Sequence, residues 1–356
     1  MQQLSQIYLF SLLILSLGGC TTVNYYTQAV GGQMSLLWHA EPVTDLIADP
    51  EVDPELKDAL AVASDAREFA RHRLALPVGG SFRDFVYLER PYVVVNLMAV
   101  PEFSLDAHQW CYPLIGCQSY RGYFNPDAAR KEQEVFEARG YDTLLGGVTA
   151  YSTLGWFPDP LHSGFTNLDQ ERMVALIIHE LSHQVIYIAD DTAFNESYAT
   201  AVELEGLKLW LAQSGHDEGF ARALARLANR DATLVLAEAA VADLEQLYDQ
   251  EPLLPRAKLR KQKQQILATL RKRYLALAAT WSEPGPFGTA PDPFNNAHVA
   301  LFRQYNQFVP GFRQLLRDHG YDFAAFHEAV IELSELAREP RTNRLISLGQ
   351  RFDENL

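Results

Sequence analysis

The run His179-Glu180-Leu181-Ser182-His183 constrains this chain more than any other segment. Histidines four residues apart share one face of a helix, one turn apart. The five residues before them, Val174-Ala175-Leu176-Ile177-Ile178, are all apolar, so the helix is a buried one. At that spacing the two imidazoles can share a zinc ion. Glu180 points to the side of such a metal. From there it can hold a zinc-bound water, act as general base and pass the proton to a leaving amine.

A catalytic zinc takes a third protein ligand and leaves its fourth position open. Glu196 stands thirteen residues after His183, near the start of the next expected helix. Between the two helices, Asp190-Asp191-Thr192 supplies a turn and an N-cap. The second helix can then fold back, so that Glu196 faces His179 and His183. One Zn2+ per chain is expected. Without a metal, the same residues read as two buried core histidines and a carboxylate favoured by a helix N-terminus. Thr200 and Glu203, one and two turns beyond Glu196, are candidates to hold the outer N–H of a ligating histidine.

Ahead of this pair the chain alternates. A helix is expected over Pro54–Leu76 and another from Asn125 to Gly140. Strands are expected at Phe85–Leu88, Tyr92–Leu97, Tyr120–Phe124 and Val148–Leu154. From Asp169 onward the pattern is helical, over 169–188, 192–212, 217–249, 255–281, 295–318 and 321–337. The fold class is therefore α+β, a small sheet in the N-terminal half packed on a mostly helical body. Residues 51–356 read as a single domain, helix-rich from 169, and 20–50 as a tether. Its 356 residues are 48% hydrophobic, enough for a sizeable core. A net charge of −15 argues against a nucleic-acid surface, which needs a basic stripe. The basic run Arg256–Lys263 reads as a solvated helix face.

Residues Ile7 to Leu17 are apolar, too few to span a bilayer, and read as the core of an export signal. Leu17-Gly18-Gly19-Cys20 resembles the bacterial lipobox, where the leader (residues 1–19) is cut off and the cysteine thiol lipidated. Met1 to Gln6 carries no Lys or Arg, unlike most export signals. A lipid-anchored place in the bacterial cell envelope follows. In a Gram-negative cell, Thr21 rather than Asp after the cysteine favours the outer membrane, facing the periplasm. Cys111 and Cys117 would then meet an oxidising compartment. The Pro and Gly between them allow a tight loop, and a disulfide is expected there rather than a second metal site.

Several segments together resemble the bacterial family of predicted zinc-dependent aminopeptidases, gluzincin-like predicted lipoproteins. They are Arg90-Pro91-Tyr92-Val93-Val94, Pro101-Glu102-Phe103-Ser104-Leu105, Gln109-Trp110-Cys111 with Gly116-Cys117, and Tyr120-Arg121-Gly122-Tyr123-Phe124. The likeness continues through Ala150-Tyr151-Ser152-Thr153-Leu154-Gly155-Trp156-Phe157, the histidine helix, Phe194-Asn195-Glu196-Ser197 and Asn295-Asn296-Ala297. It implies zinc binding by His179, His183 and Glu196, with Glu180 as catalyst. In gluzincins a strand before the metal helix takes up the peptide substrate by main-chain hydrogen bonds. Thr149, Ala150, Tyr151, Ser152 and Thr153 are the candidates for that edge.

A donor for the oxyanion is also needed. His298 and Tyr305 are seven apart, hence on one helix face, and Tyr305 is the candidate kept. Glu102 or Glu203 could hold the free amine of an aminopeptidase substrate. The reading is a lipid-anchored zinc hydrolase of peptide bonds, an aminopeptidase by resemblance. The alternatives are a zinc endopeptidase and a catalytically idle binding or scaffold lipoprotein of the envelope.

Overall fold

The computed structural model describes residues 25–112, 116–150, 153, 155–214, 217–251, 253–288, 293–302 and 308–353. Cys20, Tyr151, Ser152 and Tyr305 lie outside the described residues.

Residues 25–38 form a helix, α1, where a tether was expected. Its inner face is held on the body: Gln28 Oε1 accepts from the Phe124 amide at 2.9 Å, and the Arg121 guanidinium lies 3.7 Å over the Tyr25 ring. The strand β1 (Glu41–Pro42) and helix α2 (Val43–Ala48) follow. Helix α3 (Pro54–Arg73) starts on Asp53, whose side chain accepts from the Glu55 amide, with Pro54 pre-set for the first turn.

The next strands are β2 (Asp84–Val86), β3 (Val94–Pro101), β4 (Trp110–Tyr112), β5 (Gly116–Gln118) and β6 (Arg121–Tyr123). Helix α4 (Pro126–Ala138), capped by Asn125, leads into β7 (Tyr141–Val148), and β8 (Leu161–His162) comes last. Strands β6, β3 and β7 make an antiparallel sheet with β3 in the middle. A second small sheet has the order β1-β2-β8, and β4-β5 is a hairpin. Cys111 and Cys117 face each other across that hairpin and are joined by a disulfide.

Strand β3 is buried on both faces, but not along its whole length. Val95, Leu97 and Ala99 pack with Tyr123 against Ala129 and Phe136 of α4. On the opposite face Met98 and Val100 meet Ala297 and Ala300 of α10 (Asn296–Phe302). Toward the start of β3 this second face is left uncovered, and Val94 and Asn96 look into a cleft.

After α5 (Ser163–Thr166), helix α6 (Gln170–Ser182) carries the histidines and α7 (Thr192–Ser214) carries Glu196. Asp169 caps α6, accepting from the Arg172 amide at 3.0 Å. Val174, Ile177, Ile178 and Leu181 are fully enclosed in the main core, with Leu60, Phe194, Tyr198 and Phe312. Helix α6 was expected to run to Ile188 but ends at Ser182. The chain turns through Asp190, which adopts a left-handed φ of 64°.

Helices α8 (Asp217–Tyr248) and α9 (Arg256–Ala278) pack on each other and, with Phe294, enclose Tyr274. The basic run of α9 is not simply a solvated face. Arg260 makes a two-point contact with Glu102 (2.5 and 3.0 Å), and Lys263 reaches Asp142 at 2.6 Å. The last helices are α11 (Val309–Asp318), α12 (Phe323–Ser334) and α13 (Arg338–Gly349), the last not expected from the sequence. Small sheets beside a helical majority make this an α+β fold.

Candidate metal centre and its cleft

The turn between α6 and α7 is fixed by Asn195. Its Nδ2 donates to the Ile188 carbonyl at 2.8 Å, and its Oδ1 accepts from the Ile188 amide at 2.9 Å. Asp191 adds a second clamp, accepting from the Phe194 amide at 3.2 Å and pairing with the buried Arg341 at 2.5 Å. With that turn set, the residue after Asn195 faces back on α6. His179 Nε2 lies 3.5 Å from Glu196 Oε2, and His183 Nε2 lies 3.9 Å from Glu196 Oε1. The imidazole rings are 5.0 Å apart and nearly perpendicular.

One donor atom from each of His179, His183 and Glu196 lies within 4.8 Å of the others, so the three could hold a metal ion. The chemistry of the set agrees. Burial pushes His183 down to about 4, so its ring is neutral, the form that ligates a metal. Burial also acts to lower His179, but Glu196 on Nε2 and Glu203 on Nδ1 outweigh it and raise the ring well above its usual range. For Glu196, burial acts to raise the carboxyl. The His179 hydrogen bond and the two imidazoles outweigh it and keep it below the usual range. The carboxylates therefore demand positive charge around His179, and a divalent cation answers that demand as well as a proton does. Two imidazoles and a carboxylate fit zinc.

Glu203 is the outer partner that the sequence offered as one of two, with Oε2 2.9 Å from His179 Nδ1. Glu180 is buried, with 9% exposure. Burial raises its carboxyl to about 7, and the charges of Glu196, Asp159 and Glu203 push the same way against His179.

The group opens into a cleft of about 500 Å³. Its floor is the uncovered part of the β6-β3-β7 sheet. Asn96 stands there in a row with Gly122 on one neighbouring strand and Gly146 on the other. A Cβ on Gly122 would lie 3.2 Å from Asn96 Oδ1, whereas one on Gly146 would meet nothing. The carboxamide thus has no side chain beside it in its own row. Aromatic walls complete the cleft: Tyr25, Tyr112, Tyr120, Phe124, Trp156 and Tyr187 among them. Burial raises the Tyr187 phenol above its usual range, so it stays protonated, and its oxygen accepts from Gln118 Nε2 at 3.3 Å.

Other expected site residues fare differently. Val148 ends β7, so the strand expected at 148–154 lies earlier in the chain, over 141–148. Ala150 and Thr153 do line the cleft, and Thr149 lies in the bend just after β7. The Thr153 amide is taken by Asp159 Oδ2 at 2.7 Å and is not free to pair with a peptide. His298 bonds to Asn295 Oδ1 at 2.8 Å, tilted against Phe294 and outside the cleft lining. Glu102 is engaged by Arg260 on the far end of β3. Asn96, Tyr187 and Gln118 went unnoticed in the sequence. Gly122 and Gly146, which leave Asn96 uncovered, become its neighbours only through the strand register.

A family model described as "Putative aminopeptidase" matches residues 24–345. No curated protein and no solved structure matches the chain.

Proposed function

The chain belongs to that aminopeptidase family, and on this premise we propose that it is a zinc-dependent peptidase working in the Asn96–Tyr187 cleft. The observation that carries the reading is the convergence of His179, His183 and Glu196 within 4.8 Å, beside a buried Glu180. A zinc ion held there supplies Lewis acidity toward a peptide carbonyl and makes water easier to deprotonate. The chain's own residues do the rest. Glu180, with its carboxyl raised to about 7, takes the proton of the attacking water on a carboxylate oxygen and returns it to the leaving nitrogen. Glu203 fixes the His179 ring with Nε2 toward Glu196. The Tyr187 phenol is the donor for the oxygen that gains charge. Asn96 holds the substrate main chain on the open floor of the sheet.

Membership of the family favours removal of N-terminal residues. One feature of the cleft favours a second reading. Among its described lining residues the acids are Glu180 and Glu196 alone, so no further carboxylate awaits a free amine. That arrangement suits an endopeptidase. Peptides with free and acetylated N-termini separate the two: release of single residues from the free form only is the aminopeptidase result, and equal cleavage of both is the endopeptidase result. Glu180→Gln tests the common mechanism. It should keep metal and lose hydrolysis, and unchanged turnover would remove Glu180 from the role.

We further propose that the enzyme is held on the bacterial envelope through a lipid on Cys20, facing the periplasm. The apolar run Ile7–Leu17 and Leu17-Gly18-Gly19-Cys20 support this, as does the Cys111–Cys117 disulfide.

A further inference from the structure

Helix α1 has two faces of different character. Tyr25, Gln28, Ala29, Gly32 and Gln33 face inward, at the spacing of a helix that packs on a body. Tyr25 and Ala29 form part of the cleft wall, and Gln33 is buried. The outward face carries Tyr26, Val30, Met34 and Trp38, each four residues after the last, and these are 40%, 60%, 49% and 84% exposed. Four large apolar side chains in a continuous exposed stripe are unusual on a soluble surface.

No Asp, Glu, Lys or Arg occurs from Cys20 to Ala40, in a chain that carries 30 basic and 45 acidic residues. With the leader removed, the chain before α1 is short: Cys20 stands five residues before Tyr25. Five residues reach no more than about 18 Å. A lipid on Cys20 would therefore keep α1 beside the bilayer. The helix itself is too short to cross: fourteen residues rise about 21 Å, against about 30 Å of hydrocarbon. Among the described residues no helix is long and apolar enough to span a membrane.

We propose that α1 lies along a phospholipid surface, with Tyr26, Val30, Met34 and Trp38 seated among the acyl chains. The occupant is the bilayer rather than a second copy of the chain, because the segment leading into α1 is uncharged and ends at the anchoring cysteine. This rests on the envelope anchor proposed above but adds a second, non-covalent contact. The absence of charge makes the contact insensitive to salt and to the charge of the lipid. Since the inner face of the same helix walls the cleft, membrane contact and substrate cleft share one element.

The test uses the full chain reconstituted in phosphatidylcholine vesicles. Single cysteines replace Val30, Met34 and, as an aqueous control, the exposed Val235 of α8, and each carries a nitroxide label. Labels at 30 and 34 should gain contact with dissolved oxygen and lose contact with a water-soluble nickel chelate, at low and high salt alike. The label at 235 should stay in water. Labels at 30 and 34 that behave like the one at 235 would overturn the proposal. So would dipolar broadening between labels, which would put a second copy on the stripe. The acyl mass on Cys20 is read separately: if it is missing while the labels sit in lipid, the anchor fails and the docking stands.

Discussion

His179 Nδ1 lies 2.9 Å from Glu203 Oε2, while Nε2 of the same ring faces Glu196 at 3.5 Å. One imidazole is thus held between a carboxylate behind it and a carboxylate beside it. The outer one is not one of the three residues that could hold a metal, but accepting at Nδ1 it would leave Nε2 as the nitrogen for a metal. Glu203→Ala should weaken zinc affinity by about 10–100-fold without unfolding the chain. Competition against a chromogenic chelator measures this, and an unchanged affinity would deny Glu203 that role.

Asn96 stands on the cleft floor between Gly122 and Gly146. If it holds substrate, Asn96→Ala removes one hydrogen bond worth about 1–1.5 kcal/mol, or roughly tenfold in kcat/KM. Metal content should not change. A variant with wild-type kcat/KM would show that the carboxamide does not touch the peptide.

Tyr187→Phe keeps the ring and removes the hydroxyl. Loss of an oxyanion donor lowers kcat on the order of 100-fold, with little effect on KM. The opposite pattern, a raised KM at full kcat, would make Tyr187 a substrate-binding residue only.

Much of the site was legible in the sequence, and the reasons for the gaps are physical. His179, His183 and Glu196 could be paired because the helical period fixes faces without knowledge of tertiary structure. The strand before them was misplaced because Gly146-Gly147 reads as a break. Instead, both glycines sit inside β7: a Cβ on Gly147 would meet Tyr92 Cδ1 at 2.8 Å. Residues 25–38 read as a tether, yet Gly32 is where Phe124 packs against α1, 2.1 Å from where a Cβ would stand. Asn96 was invisible because its significance lies in strand register, which the sequence of one strand does not contain.

His162 is 3% exposed and caps α5, its Nδ1 accepting from the Gly164 amide at 3.1 Å. Burial holds its imidazole down to about 4, below the ordinary 6.5. The unfolded chain therefore binds a proton at this residue first as pH falls. Stability contributed by the neutral ring is intact above 6.5 and is lost between 6.5 and 4, by up to about 3 kcal/mol. His162→Asn keeps a capping acceptor and cannot titrate. Its denaturation midpoint should fall less steeply than that of the wild type between pH 6.5 and 4. Parallel profiles would show that His162 does not carry the acid sensitivity.

Hydrolysis is expected to depend on an ion held by His179, His183 and Glu196. Stripping the full chain with a chelator and titrating zinc back, while following cleavage of a peptide, measures that dependence. Activity should vanish on stripping and return in full at one zinc per chain. A stripped chain that still cleaves at the original rate, or one that takes up no zinc, would contradict the account.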